Sequence, residues 1–243
     1  MVVMTRLPHL RPDDLDEDQR ALYDAITGGP RAGGPVALTD DAGRLAGPFN
    51  AMLAAPAAGS ALQRLGAAIR YETSLSGHDR KSARGLGGPA SRWTHGRKTR
   101  VRLRYAGLPA ARPAETWIHR IPPTDFRSQP LSARTRELSI LAVAAHWDSA
   151  FERHAHEPVA LSAGLTEEQL AAVRAGTVPD GLDDTELAAL RFVTALLRDG
   201  DADDETYAAA VAVLGERTVV ELTTLVGYYA TLALRLRVFR VEP

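Results

Sequence analysis

The chain has 243 residues, of which 45% are hydrophobic, and a formal net charge of −1. This length and composition predict a globular protein with a sizeable core, and the near-zero charge gives no reason to expect nucleic acid or an anionic membrane as a partner. The sequence contains no cysteine, which excludes disulfides, thiolate metal sites and thiol redox chemistry.

The opening residues and the hydropathy pattern bear on location. The first residues, MVVMTRLPHLRPDD, lack the apolar run of a signal peptide. No stretch reaches the roughly 18 uninterrupted apolar residues that are typical of a membrane span. We therefore expect a cytoplasmic protein.

Helix start and stop signals recur along the chain, in the form of side chains that cap free amides and glycines that end helices. Asp14 with Glu17 is predicted to form a capping box that opens a helix ending at Gly28. The same signals predict later helices that begin at Thr166 with Gln169, at Asp183 with Glu186, in the segment DDETYAAAVAVL, and at about Thr218. Apolar residues return every three or four positions and strand alternation is absent, so the predicted fold class is all-α.

Residues 77–130 differ from the rest of the chain. This 54-residue stretch carries twelve Lys and Arg against three Asp and Glu, whereas the remainder carries 17 against 27. It also holds six glycines and six prolines and shows no sustained helical period. Such a composition cannot easily bury a face of its own, so we predict an irregular insertion.

Three interpretations of residues 77–130 are open. The segment can be a basic insertion that binds a polyanion or a partner, a surface loop without a role, or sequence from outside the ancestral reading frame. The last two are favoured together, because the flanking residues 71–76 and 131–144 form one helix-turn-helix passage when joined. We therefore treat residues 1–243 as one helical domain with an insertion and look for function outside it.

Chemically active side chains are concentrated in HWDSAFERHAHEP, residues 146–158. On a helix, Ser149, Glu152 and His156 lie at positions i, i+3 and i+7, so they share one face and can meet in one pocket. An imidazole beside a carboxylate has its tautomer fixed and can deliver and take protons at working pH. His154 falls on another side of the helix, so a solvated or interface position is expected for it.

Two features outside this segment are candidates for the same site. Glu137 is followed by apolar turns, which predicts a partly desolvated carboxylate with a raised pKa that can relay protons. The alternative is an ordinary ion pair with Arg134 or Arg136. Gly47 and Pro48 predict a turn into a helix start whose free amides can hold a substrate carboxylate, or else a tight turn that packs Phe49 into the core.

Metal and cofactor motifs give a weaker signal. Glu152 and His156 have the i, i+4 spacing of two metal ligands on one helix, and a third ligand can come from His146, Glu137 or another chain. The sequence has no H-E-x-x-H pattern, no P-loop and no glycine fingerprint that follows a strand. We therefore expect neither a metal nor another cofactor.

Five segments outside the insertion follow one another in a recognisable order: LAGPFNAMLAAP (45–56), LGAAIRYETSLS (65–76), RELSILAVAAHW (136–147), FERHAHEPVALSAGL (151–165) and LGERTVVELTTLVGYYATLA (214–233). In content and order they resemble the carboxymuconolactone decarboxylase family. The resemblance implies a compact all-α domain of the alkylhydroperoxidase D type. It also implies a homo-oligomer, either a trimer or a hexamer.

One branch of that family couples to peroxidases through a C-x-x-C-x-x-x-H redox pair, with a glutamate twelve residues before the first cysteine. In this sequence the frame falls on Ser149, Glu152 and His156, and the upstream glutamate falls on Glu137. A serine and a glutamate cannot form a disulfide, so thiol chemistry of this kind is excluded.

The decarboxylase branch carries an aromatic-E-W-x-x-H pattern, which FERHAH (151–156) matches except that Arg153 stands where tryptophan is usual. This resemblance implies a cofactor-free lyase that decarboxylates a small carboxylated lactone or a related acid, a step in the degradation of aromatic compounds. Decarboxylation leaves a carbanion that must be stabilised and protonated, and His156 is predicted to give that proton, with Glu152 orienting it and Glu137 assisting. The predicted substrate-binding residues are Ser149, His146, Trp147, Arg153 and Phe49.

Two alternatives stay open at this point. The chain can be a non-catalytic oligomeric binding protein on the same scaffold, with residues 77–130 as an anion-binding or partner-binding arm. It can also be an enzyme that the insertion has disabled, because the insertion separates the helix carrying Arg70 from the helix carrying Glu137.

Overall fold

The computed structural model describes residues 5–32, 37–76 and 131–241, so the predicted insertion at 77–130 lies outside the described residues. Within these ranges the fold has no β-strand, which confirms the all-α prediction. The described helices are α1 (Glu17–Thr27), α2 (Pro48–Leu53), α3 (Pro56–Tyr71), α4 (Ala133–His146), α5 (Ala150–Ser162), α6 (Glu167–Arg174), α7 (Asp184–Asp199), α8 (Asp204–Leu214) and α9 (Glu216–Phe239).

Capping side chains start most of these helices. The predicted boxes of Thr166 with Gln169 and of Asp183 with Glu186 are both present, at the starts of α6 and α7. The first predicted box was wrong, because Asp16 rather than Asp14 caps α1 and pairs with Gln19. A short 3-10 turn at Pro12–Asp14 precedes it, so the chain becomes α-helical two residues later than its acidic residues suggest.

Helix α4 is packed by other helices on several sides, namely α5, α6, α7 and α9. Its buried residues include Leu138, Ile140, Leu141 and Val143, which point in different directions around the helix axis. Glu137 is fully buried in the same helix, at 0% exposure. Burying a carboxylate costs free energy unless the group is paired. The partners of Glu137 therefore indicate the role of this part of the core.

Helix α9 has the length and the apolar composition that a membrane span also has, with a mean hydropathy of 1.2. Half of its most apolar window is buried inside the fold, where Leu222, Leu225 and Tyr229 belong to the main hydrophobic core. That packing is the environment of a core helix, and it brings Tyr229 beside α3 and α5.

The two described ends on either side of residues 77–130 meet in space. The backbone N–H of Leu131 donates a hydrogen bond of 2.9 Å to the carbonyl of Ser74. Glu221 of α9 accepts from the Ser74 N–H at 2.9 Å and also from the Ser74 hydroxyl. The residues that follow α3 are therefore held next to the residue Leu131, which precedes α4.

Candidate active site

A cavity of about 160 Å³ opens between α2, α3, α5 and α9. Its polar lining consists of Arg31, Arg70, Glu152 and His156, and its apolar walls include Phe49, Phe151, Val159, Tyr229 and Leu232. A cavity of this size is comparable to one that holds a benzene molecule. The site therefore suits one small ring, with polar substituents directed at the charged side chains.

His156 of α5 is held against Glu137 of α4. The distance from His156 Nδ1 to Glu137 Oε2 is 2.7 Å, and the imidazole is only 4% exposed. His156 lines the cavity, whereas Glu137 lies behind the ring. The sequence predicted Glu152 as the carboxylate that orients His156, whereas in the structure Glu137 makes the short contact with the ring.

Glu137 is ionised, and in this respect the sequence-based prediction of a raised pKa was wrong. Burial alone would raise the pKa of Glu137, but the hydrogen bond with His156 and the positive charge around it lower that pKa to about 2. Arg136 is part of that charge, with its Nη2 3.1 Å from Glu137 Oε1. Arg134, the other candidate partner, instead pairs with Glu186 at 2.5 Å.

Glu152 sits on the same wall of the cavity as His156, one helical turn earlier on α5. Its Oε2 is 3.5 Å from His156 Nε2, and the side chain is buried. Among the described residues, Glu152 Oε1 has no hydrogen-bond partner, and burial raises the pKa of Glu152. The two carboxylates thus have opposite characters, because Glu137 is stabilised as an anion while Glu152 is stabilised in its protonated form.

Arg70 of α3 was not among the predicted site residues, yet it contacts His156 directly. Its Nη2 is 3.0 Å from His156 Nε2 and donates to the Tyr229 hydroxyl at 2.5 Å. Burial alone would lower the pKa of Arg70, but Tyr229 and Glu137 beside it raise that pKa, so the guanidinium is charged. The sequence signal for Arg70 was its position inside LGAAIRYETSLS, the second segment of the family resemblance.

These contacts fix the tautomer of His156. A guanidinium has no acceptor, so the contact with Arg70 requires His156 Nε2 to accept the hydrogen bond. Because Glu137 is ionised, the proton of the ring lies on Nδ1 and is donated to Glu137. The Nε2 atom of His156 is therefore the acceptor toward Arg70, and it lies on the side of the ring that faces Arg70 and Glu152.

Arg31 forms a second cationic side of the cavity and was also missed by sequence reasoning. Its guanidinium lies over the ring of Phe49, 5.4 Å from the centroid, and its Nη2 is 3.4 Å from the Tyr228 hydroxyl. A Cβ at Gly66 would stand 2.5 Å from Arg31 Nη2, so this close approach requires glycine. Within the described ranges the buried Nε atoms of Arg31 and Arg70 have no hydrogen-bond partner.

Phe49 is the one predicted substrate-binding residue that lines the cavity. Ser149 is buried but serves as the N-cap of α5, where its hydroxyl accepts the N–H of Glu152 at 3.4 Å. Trp147 ends α4 and packs beside the main core, and its carbonyl accepts from Arg237. The other four predicted residues, His146, Trp147, Ser149 and Arg153, do not line the cavity. They lie at the α4–α5 junction or on outward faces of α5.

The outward residues have simple environments. His146 is exposed, and Arg153 pairs with Asp148 at 2.9 Å. His154 is exposed, as expected from its position on the helix. In the described part of the chain, no group of three or more His, Asp and Glu side chains is arranged to hold a metal ion.

The turn at Gly47 positions an aromatic wall of the cavity. Gly47 has a φ of 57°, and a Cβ there would lie 2.1 Å from the ring of Phe151. Phe151 can therefore pack over the turn only because the residue is glycine. Helix α2, which follows, is a short element of six residues with Phe49 on the cavity side.

Comparisons with known proteins were made for the whole chain. The family model for the carboxymuconolactone decarboxylase family matches residues 124–195. No curated protein sequence matches the chain. A cysteine-to-alanine variant of the debrominase Bmp8, in complex with 2,3,4-tribromopyrrole, is similar with a TM-score of 0.55 and 11% identity, over 100% of this chain and 91% of that chain.

A second solved structure is a protein of unknown function from Agrobacterium tumefaciens, with a suggested role as the antioxidant defence protein AhpD. It is 22% identical, with a TM-score of 0.43, over 46% of this chain and 80% of that chain. The similarity to the debrominase structure, at 11% identity, shows a shared fold and nothing more specific.

The matched segment contains part of the candidate site. Residues 124–195 contain Glu137, Glu152 and His156, together with α4, α5 and α6. The resemblance drawn from the sequence is thereby confirmed over this segment, and the fold of the described residues is all-α. The part of this chain that the family model for the carboxymuconolactone decarboxylase family matches thus contains the buried Glu137–His156 pair beside a small cavity.

Proposed function

We propose that this protein is a cofactor-free lyase that decarboxylates a small carboxylated lactone or a related acid by acid–base catalysis. The observation that carries the proposal is the placement of Glu152 and His156 on one wall of a benzene-sized cavity, with Glu137 held behind the imidazole. The family segment at residues 124–195 supports the same reaction class.

The charges around the cavity favour an acidic substrate. Arg31 and Arg70 both line it, and the N–H groups of their guanidinium ends can donate to a bound anion. A carboxylate on the substrate can take these donors, because guanidinium groups match carboxylates in geometry and charge. Phe49 and Phe151 supply apolar walls for the ring between the charged groups.

The chemistry needs stabilisation of negative charge and then a proton. When the bond to the carboxyl carbon breaks, carbon dioxide leaves and the electron pair moves into the conjugated carbonyl, where Arg70 stabilises the oxyanion. Glu152 gives its proton to the carbon, since burial keeps this carboxyl protonated at higher pH. His156, 3.5 Å away, returns a proton from solvent to Glu152. In this proposal Glu137, rather than Glu152, is the residue that orients His156.

The test is carbon dioxide release from carboxylated lactones, beginning with 4-carboxymuconolactone, by the purified full chain. His156→Ala is expected to lower turnover by at least about a hundredfold, the usual scale for a positioned acid or base, while the helical circular-dichroism signal is retained. His154→Ala is the matched control, because this exposed histidine lies on the same helix outside the cavity. A folded His156→Ala variant with full activity would refute the proposal.

A further inference from the structure

We propose that the same cavity also catalyses an allylic proton shift, moving the double bond of an unsaturated lactone acid without loss of carbon dioxide. His156 takes a proton from one carbon, Glu152 gives a proton to the next-but-one carbon, and Arg70 stabilises the oxyanion between these steps. This reaction uses the pocket of the proposed lyase but does not require that decarboxylation occurs.

The first reason is that the histidine is built as a base. Loss of carbon dioxide creates an anion and requires only an acid, yet the contacts of His156 suit a base, because Arg70 Nη2, which can only donate, lies 3.0 Å from Nε2, and Glu137 Oε2 lies 2.7 Å from Nδ1. An ionised carboxylate at 2.7 Å behind the ring stabilises the imidazolium that forms when Nε2 takes a proton. A simple decarboxylase does not need a buried, ionised Glu137 behind the histidine. An enzyme that abstracts a proton from carbon does need one, because this carboxylate stabilises the imidazolium.

The second reason is the position of the acid. Glu152 Oε2 and His156 Nε2 are 3.5 Å apart, and both residues line the same wall of the cavity. They lie at i and i+4 of α5, so they approach a bound ring from one face. The two end carbons of an allyl unit are closer together than the 3.5 Å between Glu152 Oε2 and His156 Nε2. Each of the two side chains can therefore approach its own carbon at the distance of a near-attack geometry.

The third reason is that Arg70 couples ligand binding to release of the base. In the empty cavity an Arg70 N–H occupies the lone pair of His156 Nε2, while the same nitrogen also holds the Tyr229 hydroxyl. A substrate carbonyl or carboxylate that takes the Arg70 N–H frees this lone pair. The guanidinium then lies where the charge of the dienolate develops, and Tyr229 keeps it in place.

The proton balance closes within the site. The C–H bond breaks, its proton goes to His156 Nε2, and the electron pair moves into the carbonyl oxygen as a dienolate. The O–H bond of Glu152 then breaks, and its proton bonds to the far end of the allyl unit as the double bond moves. Finally, the His156 imidazolium passes its proton across 3.5 Å to the Glu152 carboxylate, which restores both groups. The net reaction is an isomerisation that needs no co-reactant.

The experiment uses a β,γ-unsaturated butenolide that carries a carboxymethyl side chain, with the full chain in D₂O. Proton NMR follows both migration of the double bond and deuterium entry at the carbon beside the carbonyl. The wild-type protein is expected to catalyse both above the buffer rate. Glu152→Gln is expected to retain deuterium entry, which His156 performs alone, but to lose migration by about a hundredfold or more. His156→Asn is expected to lose both, and His154→Ala neither.

Three results would overturn the inference: no migration by the wild type above buffer, migration by Glu152→Gln at the wild-type rate, or equal loss of exchange and migration in a folded Glu152→Gln variant. Carbon dioxide release from a carboxylated lactone is measured on the same preparation. Migration without carbon dioxide release leaves the isomerase activity standing and counts against the lyase. Carbon dioxide release without migration of the double bond supports the lyase and overturns the isomerase inference.

Discussion

The replacement Glu137→Gln tests the electrostatic basis of the site. The variant keeps the shape of the side chain and an oxygen that can accept the His156 Nδ1 proton, but it removes the buried negative charge. Folding lowers the pKa of Glu137 from its ordinary 4.5 to about 2. A difference of this size corresponds to about 3 kcal/mol of stability at neutral pH, so the variant is expected to be less stable by about that amount at pH 7.

The pH dependence of the stability difference between wild type and Glu137→Gln is a more specific test than the size of that difference at pH 7. Because the folded pKa is the lower one, the stabilisation is fully present above pH 4.5 and is lost as the pH falls toward 2. At pH 3 the wild type should have lost about 2 of the 3 kcal/mol, whereas the variant has no such group to protonate. The difference between the two proteins should therefore shrink to about 1 kcal/mol.

Urea unfolding followed by circular dichroism at pH 7 and pH 3 measures this difference. Glu205→Gln is the matched control, because Glu205 is an exposed carboxylate on α8, and its effect should stay within about 0.5 kcal/mol at both values. A Glu137→Gln deficit that is the same at pH 3 as at pH 7 would show that folding does not lower the pKa of Glu137, which would refute this reasoning.

Further outcomes follow from other parts of the structure. Burial raises the pKa of Glu152, so activity that uses its proton should fall as the pH rises through the pKa of this carboxyl. The pH profile of Glu152→Gln should lack this fall in activity. In thermal melts, Gly47→Ala should destabilise the fold by more than Gly176→Ala does. Both glycines have a positive φ, but only a Cβ at Gly47 would clash with a side chain, the ring of Phe151. Replacing residues 77–130 by a short glycine linker should leave the helical signal and the melting temperature nearly unchanged, because Ser74 and Leu131 are already hydrogen-bonded. A fall of more than about 10 °C would contradict that reasoning. Light scattering should give a trimer or a hexamer, the assembly that the family resemblance implies.

Local sequence signals determined the helices and one face of the site. Capping pairs and glycines depend on residues three or four positions apart, so the boxes at Thr166 and Asp183 were readable from the chain alone. Glu152 and His156 were placed on one face for the same reason, since the helical period fixes their relation. The prediction of Asp14 as a cap failed because Asp14 lies in a short 3-10 turn, and Asp16 caps α1 instead.

Only the tertiary structure decided how the charges are distributed. Glu137 and Glu152 are both buried glutamates, and nothing local tells which one is ionised. The difference arises because α4 brings Glu137 against His156 Nδ1 and Arg136, whereas Glu152 Oε1 is buried without a hydrogen-bond partner in the described residues.

The arginines show the same limit. Arg31 follows α1 and Arg70 ends α3, and neither is near residues 146–158 in sequence, yet both line the cavity beside His156. Conversely, His146, Trp147 and Arg153 are neighbours of the site in sequence but lie outside the cavity. Sequence periodicity fixes which residues share a helix face, but long-range packing fixes which faces meet, and the pKa of a buried group depends on the faces that meet.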